Sequence, residues 1–202
     1  MKLILITTPE YFVEEDQILN ALFEEGLDIL HLRKPNTEAV YAERLLTLIP
    51  EKHHKKIVIH DHFELYNEYN LRGLHLNSRN PLPPDNYSGQ LSASCHTFEE
   101  VKADKKTCDY VFLSPIFNSI SKEGYNSGFT EEDITNGVKA GIIDKKVIAL
   151  GGIDHNNIEK VKELGFGGAA VMGGLWSKFN KNYDNNYQEL INYFKVLKNL
   201  AD

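Results

Sequence analysis

A (β/α)8 TIM barrel in a single domain, residues 1-202, is predicted by three observations. Short apolar runs alternate with amphipathic stretches from end to end, and there are eight of them. Alternation of this kind predicts parallel strands joined by helical crossovers. Polar residues collect toward the C-terminal ends of the apolar runs, the face where barrel sites are built. The rival arrangement is an open doubly wound sheet.

The strands read Leu3–Thr7, Ile29–Arg33, Ile57–Asp61, Gly73–Leu76, Leu91–His96, Tyr110–Ser114, Val147–Leu150 and Gly168–Met172. Helical periodicity covers Glu14–Glu25, Thr37–Leu48, Phe63–Tyr69, Phe98–Lys105, Thr130–Ala140, Asn157–Leu164 and Tyr187–Leu200. The helix over 157–164 follows Asp154 and two asparagines as N-cap candidates, and Gly165 supplies its stop. Between strands four and five stands "NSRNPLPPDNYSG", whose three prolines forbid a regular helix. The fourth helix is therefore expected to be replaced by a Pro-rich loop. His53 and His54 in "EKHHKK" are expected in a solvated turn.

Composition narrows the class of function. Hydrophobic residues make up 42% and charged residues 25%, as in a folded enzyme or binding domain. A net charge of −7 argues against a nucleic-acid partner, which would need a basic stripe. No apolar run approaches the roughly 20 residues of a membrane span, and "MKLILITTPEYFVEED" does not read as a secretory signal. Two cysteines, Cys95 and Cys108, provide neither a disulfide framework nor zinc spacing, so a cytoplasmic location is expected.

The strands themselves point to a site. Parallel barrel strands are buried on both faces and normally read as unbroken Val, Ile and Leu. In "ILHLRK", however, Leu30 and Leu32 alternate with His31 and Arg33, the period of a strand. The leucines are expected to face the helices, and His31 and Arg33 the interior or mouth, where both are expected to contact substrate, a core histidine being the alternative for His31. "LSASCH" sets Ser92, Ser94 and His96 against Leu91, Ala93 and Cys95, and "IHDH" puts Asp61 at a strand end. His75 reads most simply as a hydrogen-bonded core histidine. Arg33 is expected to bind an anion, the simpler alternative being an ion pair with Asp61. Gly151-Gly152 and Gly173-Gly174 follow strands seven and eight, where glycine lets backbone N–H groups approach a phosphate. The loop after strand six offers Ser119, Ser121 and Lys122 as the other half of an anion clamp.

In order and spacing, "HLRKP" (31–35), "IHDH" (59–62), "GLHLNSRN" (73–80), "ASCHT" (93–97), "FLSPIFNSISK" (112–122) and "ALGGI" (149–153) resemble the thiamine phosphate synthase/TenI superfamily, from about Leu3 to Trp176. That resemblance implies a barrel enzyme of thiamine biosynthesis that binds a phosphorylated thiazole. In the synthases, Arg33, Ser119, Ser121 and Lys122 would hold pyrophosphate, Ser94 would sit by the pyrimidine, and Gly152 and Gly173 would line the thiazole-phosphate site. Asp61 would hold magnesium. The synthase glutamine is His31 here, its asparagine is His60, its second metal carboxylate is the neutral Asn80, and its second basic residue arrives one position early as Lys34.

These departures favour a TenI-type thiazole tautomerase, with His96 as the acid/base, over the alternative of a synthase that joins hydroxymethylpyrimidine pyrophosphate to thiazole phosphate. Magnesium is expected only for the synthase. A non-catalytic binder of thiamine phosphate is the third reading. The partners expected are small molecules, and a homo-oligomer is left open; Tyr11, Phe12, Trp176 and Phe179 read as an interface patch or, more simply, as core.

Overall fold

The computed structural model describes residues 1–118, 128–179 and 187–202. Its strands are β1 (Lys2–Ile6), β2 (Ile29–Leu32), β3 (Ile57–Ile59), β4 (Gly73–Leu76), β5 (Gln90–Cys95), β6 (Tyr110–Leu113), β7 (Val147–Leu150) and β8 (Gly168–Val171). They close into a barrel in sequence order, every neighbour parallel, with β1 beside β8. The expected (β/α)8 fold is present, and each strand lies within two residues of its expected position.

The helices are α1 (Glu15–Glu24), α2 (Ala39–Leu48), α3 (Leu65–Glu68), α4 (Phe98–Asp104), α5 (Glu131–Lys139), α6 (Ile158–Glu163), α7 (Gly173–Trp176) and α8 (Gln188–Ala201). Capping boxes start α4 and α5, from Thr97 with Glu100 and from Thr130 with Asp133. Gly165 ends α6 at φ +86°, as expected of a terminating glycine. Asn157, in contrast, does not cap α6; its Oδ1 accepts from the Asp154 N–H, in the turn before the helix. No helix spans residues 77–89, as the prolines require.

Two apolar layers follow from strand alternation. Leu30, Leu32, Leu74 and Cys95 belong to the large cluster between sheet and helices. Ile4, Ile6, Ile29, Val58, Tyr110, Phe112, Ile148 and Ala170 fill the barrel interior. Phe12 packs edge-on against Trp176, whose Nε1 donates to the buried Ile6 carbonyl at 2.8 Å. Those aromatics thus serve the core.

The "EKHHKK" expectation needs correction. Residues Glu51–Lys56 form a short 3-10 helix, and His53 and His54 are buried. His54 Nε2 reaches the Leu46 and Ile49 carbonyls at the end of α2, while His53 stacks on Phe23 at 4.6 Å. Helix C-termini leave carbonyls without partners, and a histidine from the next turn supplies the donor. No helix among the described residues is long and apolar enough to cross a membrane.

Candidate active site

A cavity of about 650 Å³ opens at the C-terminal mouth of the barrel. Its floor includes Ile6, Phe112, Leu150, Ala170 and Met172, and its rim carries the polar groups. Arg33, His60, Ser94, His96, Gly152 and Gly173 all line it, so six of the positions singled out in the sequence converge there. Ser119, Ser121 and Lys122 lie outside the described residues.

Local structure fixes Arg33. The buried Thr7 hydroxyl accepts from the Arg33 N–H at 2.9 Å and donates to its carbonyl at 3.1 Å, so the end of β1 sets the backbone at the end of β2. The half-buried guanidinium has its pKa lowered, first by burial and then by the neighbouring Arg79; Asp61 acts in the opposite direction. Asp61 pairs not with Arg33 but with Arg79, at 3.0 Å and 3.2 Å to its two oxygens. Arg79, which lies in the stretch expected to be a Pro-rich loop, is a wall of the cavity. The tight Asn77–Asn80 turn, closed by backbone hydrogen bonds of 3.0 and 3.1 Å, puts it there.

Lys34 is no anion ligand. Its ammonium is buried with the Glu15 carboxylate at 2.6 and 2.8 Å and also donates to the Glu10 carbonyl. Burying such a charge requires this degree of pairing.

Beneath the mouth, His31, His60 and His75 bring ring nitrogens within 4.8 Å of one another. These imidazoles already have partners. His31 Nδ1 meets His60 Nε2 at 2.8 Å, and its Nε2 meets the Tyr110 hydroxyl at 2.7 Å. His75 Nδ1 meets Ser92 and its Nε2 meets Ser94, at 2.9 and 2.8 Å. Because the Ser92 hydroxyl donates to the Leu74 carbonyl, His75 carries its proton on Nδ1 and accepts from Ser94 through Nε2. Ser94 is thereby aimed by a neutral core histidine, as the simpler reading of His75 held. Burial holds all three pKa values far down, that of His75 at about 3.

His96 stands at the rim after β5. Its Nδ1–H donates to the Ser114 carbonyl at 3.0 Å, leaving Nε2 as the acceptor. After β7, Gly151 and Gly152 have φ of +99° and +64°. A Cβ on Gly152 would meet the Asn118 carbonyl, and one on Gly174 the Ile153 carbonyl. Asn157 Nδ2 holds the Gly152 carbonyl at 2.8 Å. Backbone alone fills these turns.

Residues 3–175 match the family model described as thiamine monophosphate synthase. The chain belongs to the thiamine monophosphate synthase/TenI family. The thiamine-phosphate synthase of Halalkalibacterium halodurans is 30% identical over 178 residues, covering 81% of this chain and 82% of that protein. That of Clostridium tetani is 26% identical over 174 residues, 80% of each. Among solved structures, a thiamine phosphate pyrophosphorylase from Bacteroides thetaiotaomicron superposes with a TM-score of 0.92 at 57% identity, covering 99% and 97% of the two chains. This is a family of thiamine-biosynthesis enzymes.

The magnesium expected for a synthase of this family has a test in the donor set. Magnesium takes oxygen ligands, normally one or two carboxylates besides substrate phosphates. Here Asp61 already accepts from Arg79 and from Asn80 Nδ2. The residues present do not fit a metal held by two carboxylates.

Proposed function

We propose that this chain is a thiamine phosphate synthase-type transferase, joining hydroxymethylpyrimidine pyrophosphate to thiazole phosphate. One observation carries the reading: the groups suited to anions stand on two opposed arcs of one mouth. Arg33 follows β2 and Arg79 follows β4, whereas the glycine pairs follow β7 and β8. In an eight-stranded ring β4 lies opposite β8, so two anions can be held at once with Ser94 and the apolar floor between them. A transferase of two phosphorylated substrates needs two such phosphate ends; a tautomerase of the thiazole phosphate carboxylate needs one phosphate end and a contact for one carboxylate. The synthase names of the relatives support the same side, and the lean toward a tautomerase finds no such support. His31 and His60, two departures behind that lean, are accounted for as members of the neutral core cluster.

In this reading the thiazole phosphate lies on the Gly151–Gly152 and Gly173–Gly174 turns, and the pyrophosphate meets Arg33. Ser94, held by His75, faces the pyrimidine. Proximity does most of the work, since aligning two bound reactants can supply several kcal/mol of the barrier.

Calorimetry tests the two-anion arrangement. Inorganic pyrophosphate titrated into protein saturated with thiazole phosphate is expected to bind about as well as to the free protein. Mutual exclusion of the two ligands would defeat the proposal.

The second reading, a TenI-type tautomerase, keeps one specific observation in its favour. His96 has a fixed Nδ1–H tautomer and an Nε2 lone pair suited to proton abstraction.

A further inference from the structure

Asp61 lies two residues beyond the end of β3, behind the Arg79 wall of the cavity, and its carboxylate is gripped side-on. Arg79 Nε lies 3.0 Å from Oδ1 and Nη2 3.2 Å from Oδ2, while Asn80 Nδ2 adds a third donor at 3.2 Å. The Asn80 amide has no second orientation. The same Nδ2 donates to the His60 carbonyl at 3.1 Å, so turning it would set oxygen against oxygen at both places. A neutral N–H donor therefore stands where a second metal-binding carboxylate would be needed.

Arg79 also suits the place it occupies. A guanidinium is permanently charged and carries five N–H donors in a planar fork. Two are engaged by Asp61, which leaves three for phosphate oxygens. Arg33 lines the same cavity, and its guanidinium hydrogen-bonds to none of the described residues. One carboxylate, held by Arg79, thus stands against two guanidinium charges, and the surplus charge favours an anion.

We infer that Arg79, held by Asp61, takes the place of a divalent cation and, with Arg33, binds the pyrophosphate of the pyrimidine substrate directly, without metal. The inference rests on the synthase reading for its substrate. In that transfer the thiazole nitrogen lone pair forms the new C–N bond as the C–O bond to pyrophosphate breaks. The bonding pair departs on the pyrophosphate oxygen, and no proton moves. What the leaving end requires is fixed positive charge, and bidentate guanidinium contacts supply it.

The test titrates inorganic pyrophosphate into the full chain in EDTA, then with excess magnesium. The wild type binds in EDTA, and magnesium does not strengthen binding. Arg79→Gln weakens binding in EDTA about 10- to 150-fold, the range for one charge-assisted contact. In Arg79→Gln with Asn80→Asp, two carboxylates face the site, and affinity returns only with magnesium. Circular dichroism checks that the variants fold. Binding by the wild type only when magnesium is added overturns the inference, as does an Arg79→Gln variant that binds like the wild type in EDTA. Thiamine phosphate made only with magnesium also overturns it while keeping the synthase reading. Pyrophosphate bound in EDTA by a protein that makes no thiamine phosphate supports the metal-free arginine site and defeats that reading together with the substrate it supplies.

Discussion

Gly152→Val is expected to lower affinity for thiazole phosphate by roughly 30-fold or more. At φ +64° a β-branched side chain is strained by about 1–3 kcal/mol. Its Cβ would also meet the Asn118 carbonyl and come within 2.9 Å of the Phe117 carbonyl carbon, an overpacking worth about 1–3 kcal/mol more. The turn relieves both by moving away from the loop after β6, and its backbone N–H groups then no longer converge on the phosphate. Gly141→Val separates binding from stability: φ is +67°, but nothing lies within 4 Å of the new Cβ. That variant is expected to lower the urea midpoint while leaving the calorimetric affinity intact. An unchanged affinity in folded Gly152→Val would take the phosphate away from the β7 turn.

Acid is expected to destabilise the fold steeply below neutrality. His31, His60 and His75 are fully buried, and burial lowers the pKa of each in the folded state. In the unfolded chain a histidine titrates near pH 6.5. Above that pH both states are neutral and these groups add no pH dependence. Below it the unfolded chain takes up protons that the folded barrel refuses, so stability falls as pH falls. For His75 the fall continues to about pH 3. Linkage gives up to about 1.4 kcal/mol per pH unit for each group, or on the order of 4 kcal/mol between pH 7.5 and 5.5 for the three together. Urea unfolding at the two pH values measures this, and His75→Gln should flatten the slope. Equal midpoints would mean that the cluster accepts protons inside the barrel.

Much of this architecture is legible in the sequence because strand period and glycine placement are local signals. The alternation in "ILHLRK" separates the shell leucines from His31 and Arg33, as the two apolar layers bear out. Three prolines suffice to remove the fourth helix. Pairings across long separations are not legible in that way. Lys34 looks like a displaced site residue until folding brings Glu15 against it, 19 positions away. His53 and His54 look like a charged turn until the end of α2 and Phe23 close over them. Arg79 is the instructive miss. A lone arginine among prolines carries no periodic signal, and only the return of the β4 loop to the end of β3 sets it on Asp61. The one available clue was chemical: Asn80 replaces a carboxylate, and Arg79 beside it brings a cation.

Turnover tests the central claim most directly. Purified protein is mixed with hydroxymethylpyrimidine pyrophosphate and thiazole phosphate, in EDTA and in magnesium, and thiamine phosphate and pyrophosphate are quantified together. A parallel sample receives only the thiazole phosphate carboxylate tautomer. The transferase reading predicts thiamine phosphate and pyrophosphate in equal amounts, and the arginine site predicts that they form in EDTA as well. Conversion of the tautomer, with no thiamine phosphate in either buffer, would contradict it and make His96 the centre of a different enzyme.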